Sequence, residues 1–510
     1  MKLIDETPVF GEGSSIVRKL KFRTAVGVSA LVLVMAGCAS IPADHNVLVQ
    51  RDLSSMQLAS DIKLAHDGWP EAQWWTGYGD AQLDGLIKRA LAGSPTLDVA
   101  AARFGSARAA LAVSGAAQGV DVNLNAAANR QRYSATGLFP APIGGSYYSE
   151  TTIQIQAHYD FDWWGKNRAQ IAASLGEVYA RRAEYAQAEQ VLAAAITQSY
   201  FTLQGGWARL ANLQQCIAAQ HELLEDRTKL VAHGMASIDA QRVAEQDLSM
   251  LNKQRAQVDT QIEGEREALR ALLGADSAAL ADLKPNPISD LPHTLPSTLG
   301  MELLARRADL QAAHWRVEAS LSRIEAAQAA YYPDVNLTGS FGLDSIGISN
   351  LFSAASRTPY IGPTLSLPLF DSKRLDAQLG AARTQRNELI AEYNQMVFNA
   401  VRDVAQQGVA LRGIEDQINQ QGSAIQASRD LLQSAQEKLD HGLANRGTVL
   451  SAELALLKQQ DAKLQLENQQ LITEVALFKA LGGGYRLDVT SLPAKSTPAS
   501  STEAAALSSK

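Results

Sequence analysis

The chain has 510 residues, 46% of them hydrophobic but only 6% aromatic, which gives apolar material for several domains and too few rings for a large aromatic-cored enzyme. A formal net charge of −7, with no Lys/Arg run interleaved with aromatics, excludes nucleic acid as a partner.

At the N-terminus, Arg18, Lys19, Lys21 and Arg23 precede an apolar stretch from Ala25 to Ala36, followed by Gly37 and Cys38. A basic segment, a short apolar core and small residues before a cleavage point are the layout of a secretory signal, so residues 1–37 read as a signal peptide. Twelve apolar residues span roughly 18 Å as a helix, short of the roughly 30 Å hydrocarbon core that a permanent anchor must cross. Met35, Ala36, Gly37 and Cys38 resemble a bacterial lipobox, which makes Cys38 the expected lipidation site. Ala39 stands where an Asp would resemble an inner-membrane retention signal, so the outer membrane is the expected destination. Residues 38–81 then form a lipidated arm. Cys216, the only other Cys, lies in a helical pattern, and no intrachain disulfide framework follows.

A first repeat is expected over residues 82–281. It opens with a helix from Gln82 to Gln118. Next, Val120, Val122, Leu124, Ala126 and Ala128 alternate with Asp121, Asn123, Asn125 and Asn129, and Ile153, Ile155, Ala157, Tyr159 and Phe161 alternate with Gln154, Gln156, His158, Asp160 and Asp162. Alternation of period two predicts strands over 120–130 and 151–162. Gly137, Pro140, Pro142, Gly144 and Gly145 between them suit a long loop. A long helix over 167–232 and a second over 238–274 follow. Pro285, Pro287, Pro292 and Pro296 mark a linker over 282–297. The second repeat, 298–484, has the same plan: a helix from Thr298 to Tyr331, strands over 334–343 and 360–370, a long helix over 373–440 and a helix over 446–482. Residues 485–510, rich in Ser, Thr, Ala and Pro, read as a disordered tail.

The duplication is visible in words. Asp121-Val122-Asn123-Leu124 recurs as Asp334-Val335-Asn336-Leu337, and His233-Gly234-Met235-Ala236-Ser237 as His441-Gly442-Leu443-Ala444-Asn445, in the same order. In the second long helix, Ile390, Val397, Val404, Leu411, Ile418, Ile425, Leu432 and Leu439 keep one unbroken seven-residue period, a coiled-coil signature that implies a left-handed supercoil. The first repeats it less strictly with Leu175, Ile196, Leu203, Leu210, Ile217, Leu224 and Val231, interrupted by Arg182 and Glu189. Each long helix would reach roughly 90 to 100 Å. Two shorter helices stacked end to end beside each long one would complete a double-stranded rod.

Strands of about ten residues, apolar on one face and polar on the other, suit an outer-membrane barrel with a wet lumen. Four strands cannot close a barrel, and an open edge cannot sit in lipid, so the chain is expected to oligomerise. Periodicity alone does not choose the copy number.

These features, together with several ordered words, resemble the TolC-type outer-membrane efflux proteins, in particular the lipoprotein branch that includes multidrug-resistance outer-membrane proteins of tripartite pumps. The words are Asp160, Asp162, Trp164, Gly165 and Lys166; Leu303 to Arg307 with Asp309 and Leu310; Leu367 to Asp371; and Leu481 to Gly484. Ala308 departs from the Pro usual at its position. The resemblance implies a mostly α fold with a membrane β-barrel. It also implies a homotrimer, in which four strands per chain make a twelve-stranded barrel continuous with a periplasmic coiled-coil α-barrel. It further implies hairpin tips, here His233, Gly234, Met235, Ala236 and Ser237, and His441, Gly442, Leu443, Ala444 and Asn445, that dock onto a periplasmic adaptor (membrane-fusion) protein serving an inner-membrane pump. The acids that close the periplasmic entrance in the family have no counterpart in Thr448 or in Leu450-Ser451-Ala452, so Asp440, Arg446, Thr448, Ser451 and Glu453 stand together as the gate candidates.

No G-x-S-x-G elbow, H-E-x-x-H motif or phosphate-cradling Gly loop occurs, so neither an enzyme nor a cofactor is expected. His233 and His441, each before a turn Gly, read as helix-end residues and not as metal ligands. The expected function is a passive outer-membrane exit duct for drugs or other small toxic solutes. The alternatives are a duct for polypeptide secretion and a lipid-anchored coiled-coil scaffold.

Overall fold

In the computed structural model, residues 41–51, 72–286, 307–368 and 371–485 are described. The expected signal segment 1–37, the expected lipidation site Cys38, residues 52–71 of the expected arm, residues 287–297 of the linker expected over 282–297, residues 298–306, Leu369, Phe370 and the tail from 486 lie outside them.

In chain order the elements are α1 (Ala81–Gly93), α2 (Pro95–Ala116), β1 (Asp121–Arg132), β2 (Tyr147–Asp160), α3 (Lys166–Ala232), α4 (Ile238–Leu273), α5 (Ala308–Ala329), β3 (Asp334–Ile346), β4 (Arg357–Ser366), α6 (Ser372–Asp440) and α7 (Arg446–Ala480). The single opening helix expected from Gln82 to Gln118 is thus two. Ser94 is extended, at φ −76° and ψ 126°, because a proline ring disfavours helical backbone in the residue before it, while Pro95 itself suits the first position of a new helix. The sheet also ends earlier than the alternation at 151–162 suggests: Asp162 turns to φ 44° and leaves the strand. The helix expected over 446–482 stops at Ala480, and Gly482, Gly483 and Gly484 all take positive φ. A short 3₁₀ turn, Trp74–Tyr78, lies inside the expected arm.

The chain divides into two units. One combines residues up to Gln50 with Phe104–Arg181 and Ala313–Glu392; the other combines Arg51–Arg103, Arg182–Ala312 and the residues from Tyr393 on.

In the first unit the four strands form one antiparallel sheet in the order β1-β2-β3-β4, so β1 and β4 are its edges. Its helical segments meet in the same order. Ser114 of α2 and Ser174 of α3 share a hydroxyl hydrogen bond of 2.9 Å, and Tyr179 of α3 lies 4.7 Å from Trp315 of α5. A Cβ on Gly176 would come within 2.9 Å of Ala319. Tyr331 donates to Asp376 of α6 at 2.7 Å, above a cluster of Ile324, Tyr331, Leu375 and Leu379.

In the second unit α3 packs on both α4 and α7. Gln220 donates to the Ala244 carbonyl at 3.0 Å and Ser199 to Glu265 at 2.8 Å. Asn212 donates to the Leu457 carbonyl at 3.0 Å, and Gln421 of α6 to that of Gln459 at 2.8 Å. Contacts therefore run α4-α3-α7-α6. Two glycines let neighbours approach α3, Gly205 against Asn468 and Gly206 against Ile262. The heptad stripe of α6 buries Val397, Val404, Leu411 and Ile425 in this unit. On α3 the buried set is broader, including Leu192, Ile196, Leu203, Leu213, Cys216 and Leu223, while Leu210, Ile217, Leu224 and Val231 are half-buried. A helix with partners on two sides buries more than one stripe, which is why the expected heptad is blurred there.

Candidate functional site: the sheet faces and the hairpin tips

The register sorts the strand residues into two faces. On one face the cross-strand rows are Leu124, Ile155, Phe341 and Pro359; Val122, Ala157, Gly339 and Ile361; and Tyr159, Leu337 and Pro363. On the other they are Asn125, Gln154, Gly342 and Thr358; Asn123, Gln156, Ser340 and Tyr360; and Asp121, His158, Thr338 and Gly362. The strands thus agree about which side is apolar. The apolar side is bare: Leu124 is 68% exposed and Ile361 77%. A soluble sheet of this composition would be covered.

Below the sheet, Tyr159, Phe161, Trp163, Trp164 and Tyr332 form an exposed aromatic group, with Trp164 stacked on Tyr332 at 4.5 Å and donating to the Pro333 carbonyl at 2.8 Å. Rings with a polar edge at the end of an apolar band are the belt of a membrane interface. The Asp160-to-Lys166 word builds this corner. Asp162 accepts from the backbone N–H of Asn167 (2.8 Å) and Arg168 (3.0 Å), capping the start of α3, and Gly165 takes φ 76° between them.

The two tips have one backbone design. Gly234 (φ 71°) donates to Val231 and Met235 to Leu230; Gly442 (φ 72°) donates to Leu439 and Leu443 to Lys438. Each pair is a Schellman closure, which needs a left-handed residue after the helix. His233 and His441 each donate a backbone N–H to their own helix, to the carbonyls of Lys229 and Glu437. Ala236 and Ser237, and Ala444 and Asn445, complete the turns; Asn445 caps α7 by accepting from Thr448 N at 3.0 Å. Met235, Ile238 and Leu443 are 67%, 51% and 78% exposed, apolar side chains presented to solvent at a turn.

Among the gate candidates, Arg446 alone bonds to another helix in the described residues, at 2.9 Å from Glu222 of α3. Asp440 accepts from Gln436, Ser451 donates to the Gly447 carbonyl, and Thr448 stays in its cap, all within one helix or turn. Glu453 is half-buried on α7.

The sequence matches the profile of the family described as Outer membrane efflux protein twice, over residues 86–275 and 299–483. The chain belongs to this family. It is 37% identical over 465 residues to the multidrug resistance outer membrane protein MdtP of Escherichia coli, covering 89% of this chain and 94% of the relative. It is 33% identical over 473 residues to MdtQ of Escherichia coli, covering 91% and 99%. The fold is similar to the crystal structure of the outer membrane protein VceC from Vibrio cholerae, at 31% identity and a TM-score of 0.73, covering 82% of this chain and all of that one.

Three features of this outer membrane efflux protein escape sequence reasoning. Arg209 of α3 forks onto Asp461 of α7 at 3.2 and 3.3 Å, and Asp461 is only 7% exposed. Glu474 of α7 is 2% exposed; burial, then the charge of Glu415, raises its pKa to about 8. Trp74 stacks on Phe478 at 5.2 Å and Tyr78 meets Phe201 at 4.8 Å, so three aromatics of the expected arm are core. The first two carry no pattern, since a lone charge on a helix reads as solvated. Clustering of Trp74, Trp75 and Tyr78 in five residues is the one signal available for the third.

Proposed function

We propose that this outer-membrane efflux protein is a passive exit duct for drugs or other small toxic solutes, working as a homotrimer. It hydrolyses nothing and uses no cofactor. The sheet supports this reading above all: one apolar face continuous over four strands, ending in two unpaired edges, β1 and β4. Each edge exposes backbone donors and acceptors that lipid cannot satisfy, and the β4 edge of one chain meeting the β1 edge of the next satisfies both. Three chains then close a barrel of twelve strands with its polar rows facing the lumen. Acylated Cys38 anchors the chain. The tips at His233–Ser237 and His441–Asn445 engage a periplasmic adaptor through Met235, Ile238 and Leu443, and an inner-membrane pump supplies the energy. Residues Asp440, Arg446, Thr448, Ser451 and Glu453 line the periplasmic entrance, which opens as the inner helices untwist on adaptor binding. Relatives named for multidrug resistance favour small solutes over polypeptides.

Recording ion conductance in planar bilayers, with and without the adaptor, tests the duct; a protein that migrates as a heat-modifiable trimer yet never conducts overturns it. Deleting Met235–Ile238 tests the tips: efflux complementation is lost while the trimer remains, and loss of the trimer counts against the tip assignment.

A further inference from the structure

Residues 41–51 have no sheet or helix partner of their own class, yet they are held along their whole length. Ile41 packs on the Ile324, Tyr331, Leu375 and Leu379 cluster. Arg383 donates to the carbonyls of Pro42 (2.7 Å) and Ala43 (3.2 Å). The Asp44 carboxylate takes Arg386 at 2.7 Å and Arg383 at 3.4 Å. Asn387 donates to the Asn46 carbonyl at 2.6 Å and accepts from Leu48 N at 3.3 Å. Arg51 donates its N–H to Asn394 at 2.8 Å and lays its guanidinium over Phe398 at 4.8 Å.

The partners on α6 rise in number as the arm does, so arm and helix run parallel. Because α6 begins just after β4 ends, the start of the arm lies at the sheet-proximal end of the helix. Leu375, beneath Ile41, also walls the cavity bounded by Trp163, Trp164 and Tyr332. Ile41 is therefore a neighbour of the aromatic belt. The arm is also needed electrically. Arg386 is 5% exposed, and a guanidinium taken out of water is costly unless a carboxylate meets it. Asp44 is that carboxylate, held below the usual carboxylate range by its hydrogen bond to Arg386.

We propose that Arg383, Arg386 and Asn387 are a dock that sets the depth of the lipid anchor. By fixing the arm parallel to α6 they deliver residue 38, which three residues of chain keep within about 11 Å of Ile41, to the leaflet that the belt addresses. The acyl chains and the apolar sheet face then enter one bilayer in register. The depth function rests on the reading of Cys38 as acylated.

The test uses the full-length protein reconstituted in phospholipid bilayers, with a nitroxide on Ala43→Cys; Cys216 is buried and escapes labelling. The dock predicts an immobile label at the bilayer interface. Asp44→Arg is expected to mobilise it and raise its collision rate with a water-soluble nickel chelate at least fivefold, and Asp44→Glu, which keeps the carboxylate, to leave both near the parent. If Asp44→Arg does not assemble, Asp44→Asn, which removes only the charge, carries the same readout with a smaller, about twofold, rise. An unchanged spectrum in Asp44→Arg and Asp44→Asn, or a rise in Asp44→Glu as large as in Asp44→Arg, overturns the dock. Mass spectrometry of the N-terminal peptide reads acylation separately: an unmodified Cys38 refutes the anchor, and because its free thiol would itself take the label, docking of the arm is then read in Ala43→Cys with Cys38→Ser.

Discussion

Adjacent residues on β2 offer the sharpest test of which sheet face meets lipid. Ile155 lies in the apolar row with Leu124 and Phe341, and Gln154 in the polar row with Asn125 and Gly342. Both are near the middle of Tyr147–Asp160, so they share depth and differ only in face. An Arg at the bilayer midplane on the lipid side costs about 2–4 kcal/mol. Repeated in three chains, Ile155→Arg removes about 6–12 kcal/mol from the assembled barrel, a large share of what holds most proteins together. Gln154→Arg points a guanidinium into water and costs at most about 0.5 kcal/mol. Heat-modifiable trimer in outer-membrane fractions, quantified on unboiled gels, should fall below detection for Ile155→Arg and stay close to the parent for Gln154→Arg. Equal damage from both, or damage only from Gln154→Arg, would refute the assignment of faces.

Three further outcomes follow from the helical rows. Glu474, pushed by burial to about 8, sits above the ordinary carboxylate value; its contribution is full below pH 4.5 and is lost as pH rises through 8, so Glu474→Gln should flatten the fall in unfolding free energy over that window, by up to several kcal/mol at its alkaline end, read from melts at a series of pH values. Removing Arg209 strands a buried Asp461, so Arg209→Ala should destabilise by about 3–5 kcal/mol, and the paired Arg209→Met with Asp461→Leu by much less, in thermal melts of the detergent-solubilised protein. A Cβ on Gly205 would lie 2.6 Å from Asn468, whereas one on Gly264 meets nothing within 4 Å; Gly205→Ala should lower the melting temperature through about 1–3 kcal/mol of overpacking, and Gly264→Ala should raise it through about 0.5–1 kcal/mol of helix propensity.

Periods of two and seven could be read because a face that meets one medium, lipid or a single helix, repeats with the backbone. The strands and α6 obey that condition, and Leu124, Ile155, Phe341, Val397 and Val404 lie where their spacing puts them. It fails for α3, which meets α4 and α7 at once and buries Leu213 and Cys216 beside its heptad stripe. The break at Ser94 hung on one proline inside a helical pattern and needed the rule for the residue before it. Buried charge was invisible for a different reason: the worth of Asp461 or Arg386 is set by a partner 252 or 342 residues away, and no local period encodes it.

The duplicated tips separate what the backbone requires from what a partner can read. Gly234 and Gly442 keep the same left-handed turn, within one degree of φ, because no side chain with a Cβ closes a Schellman motif as readily. One helix position later the copies part. Ile238 opens α4 as a half-exposed apolar residue, whereas the equivalent Arg446 opens α7 in an ion pair with Glu222, and Gly447 behind it is pressed against Asp226 and Arg227. The α3–α4 tip therefore offers grease with nothing local to hold it, and the α6–α7 tip is tied by charge to the neighbouring hairpin. An adaptor that buries Met235 and Ile238 gains from the first without breaking anything. Moving the second requires separating Arg446 from Glu222, an exposed pair worth at most about 1 kcal/mol.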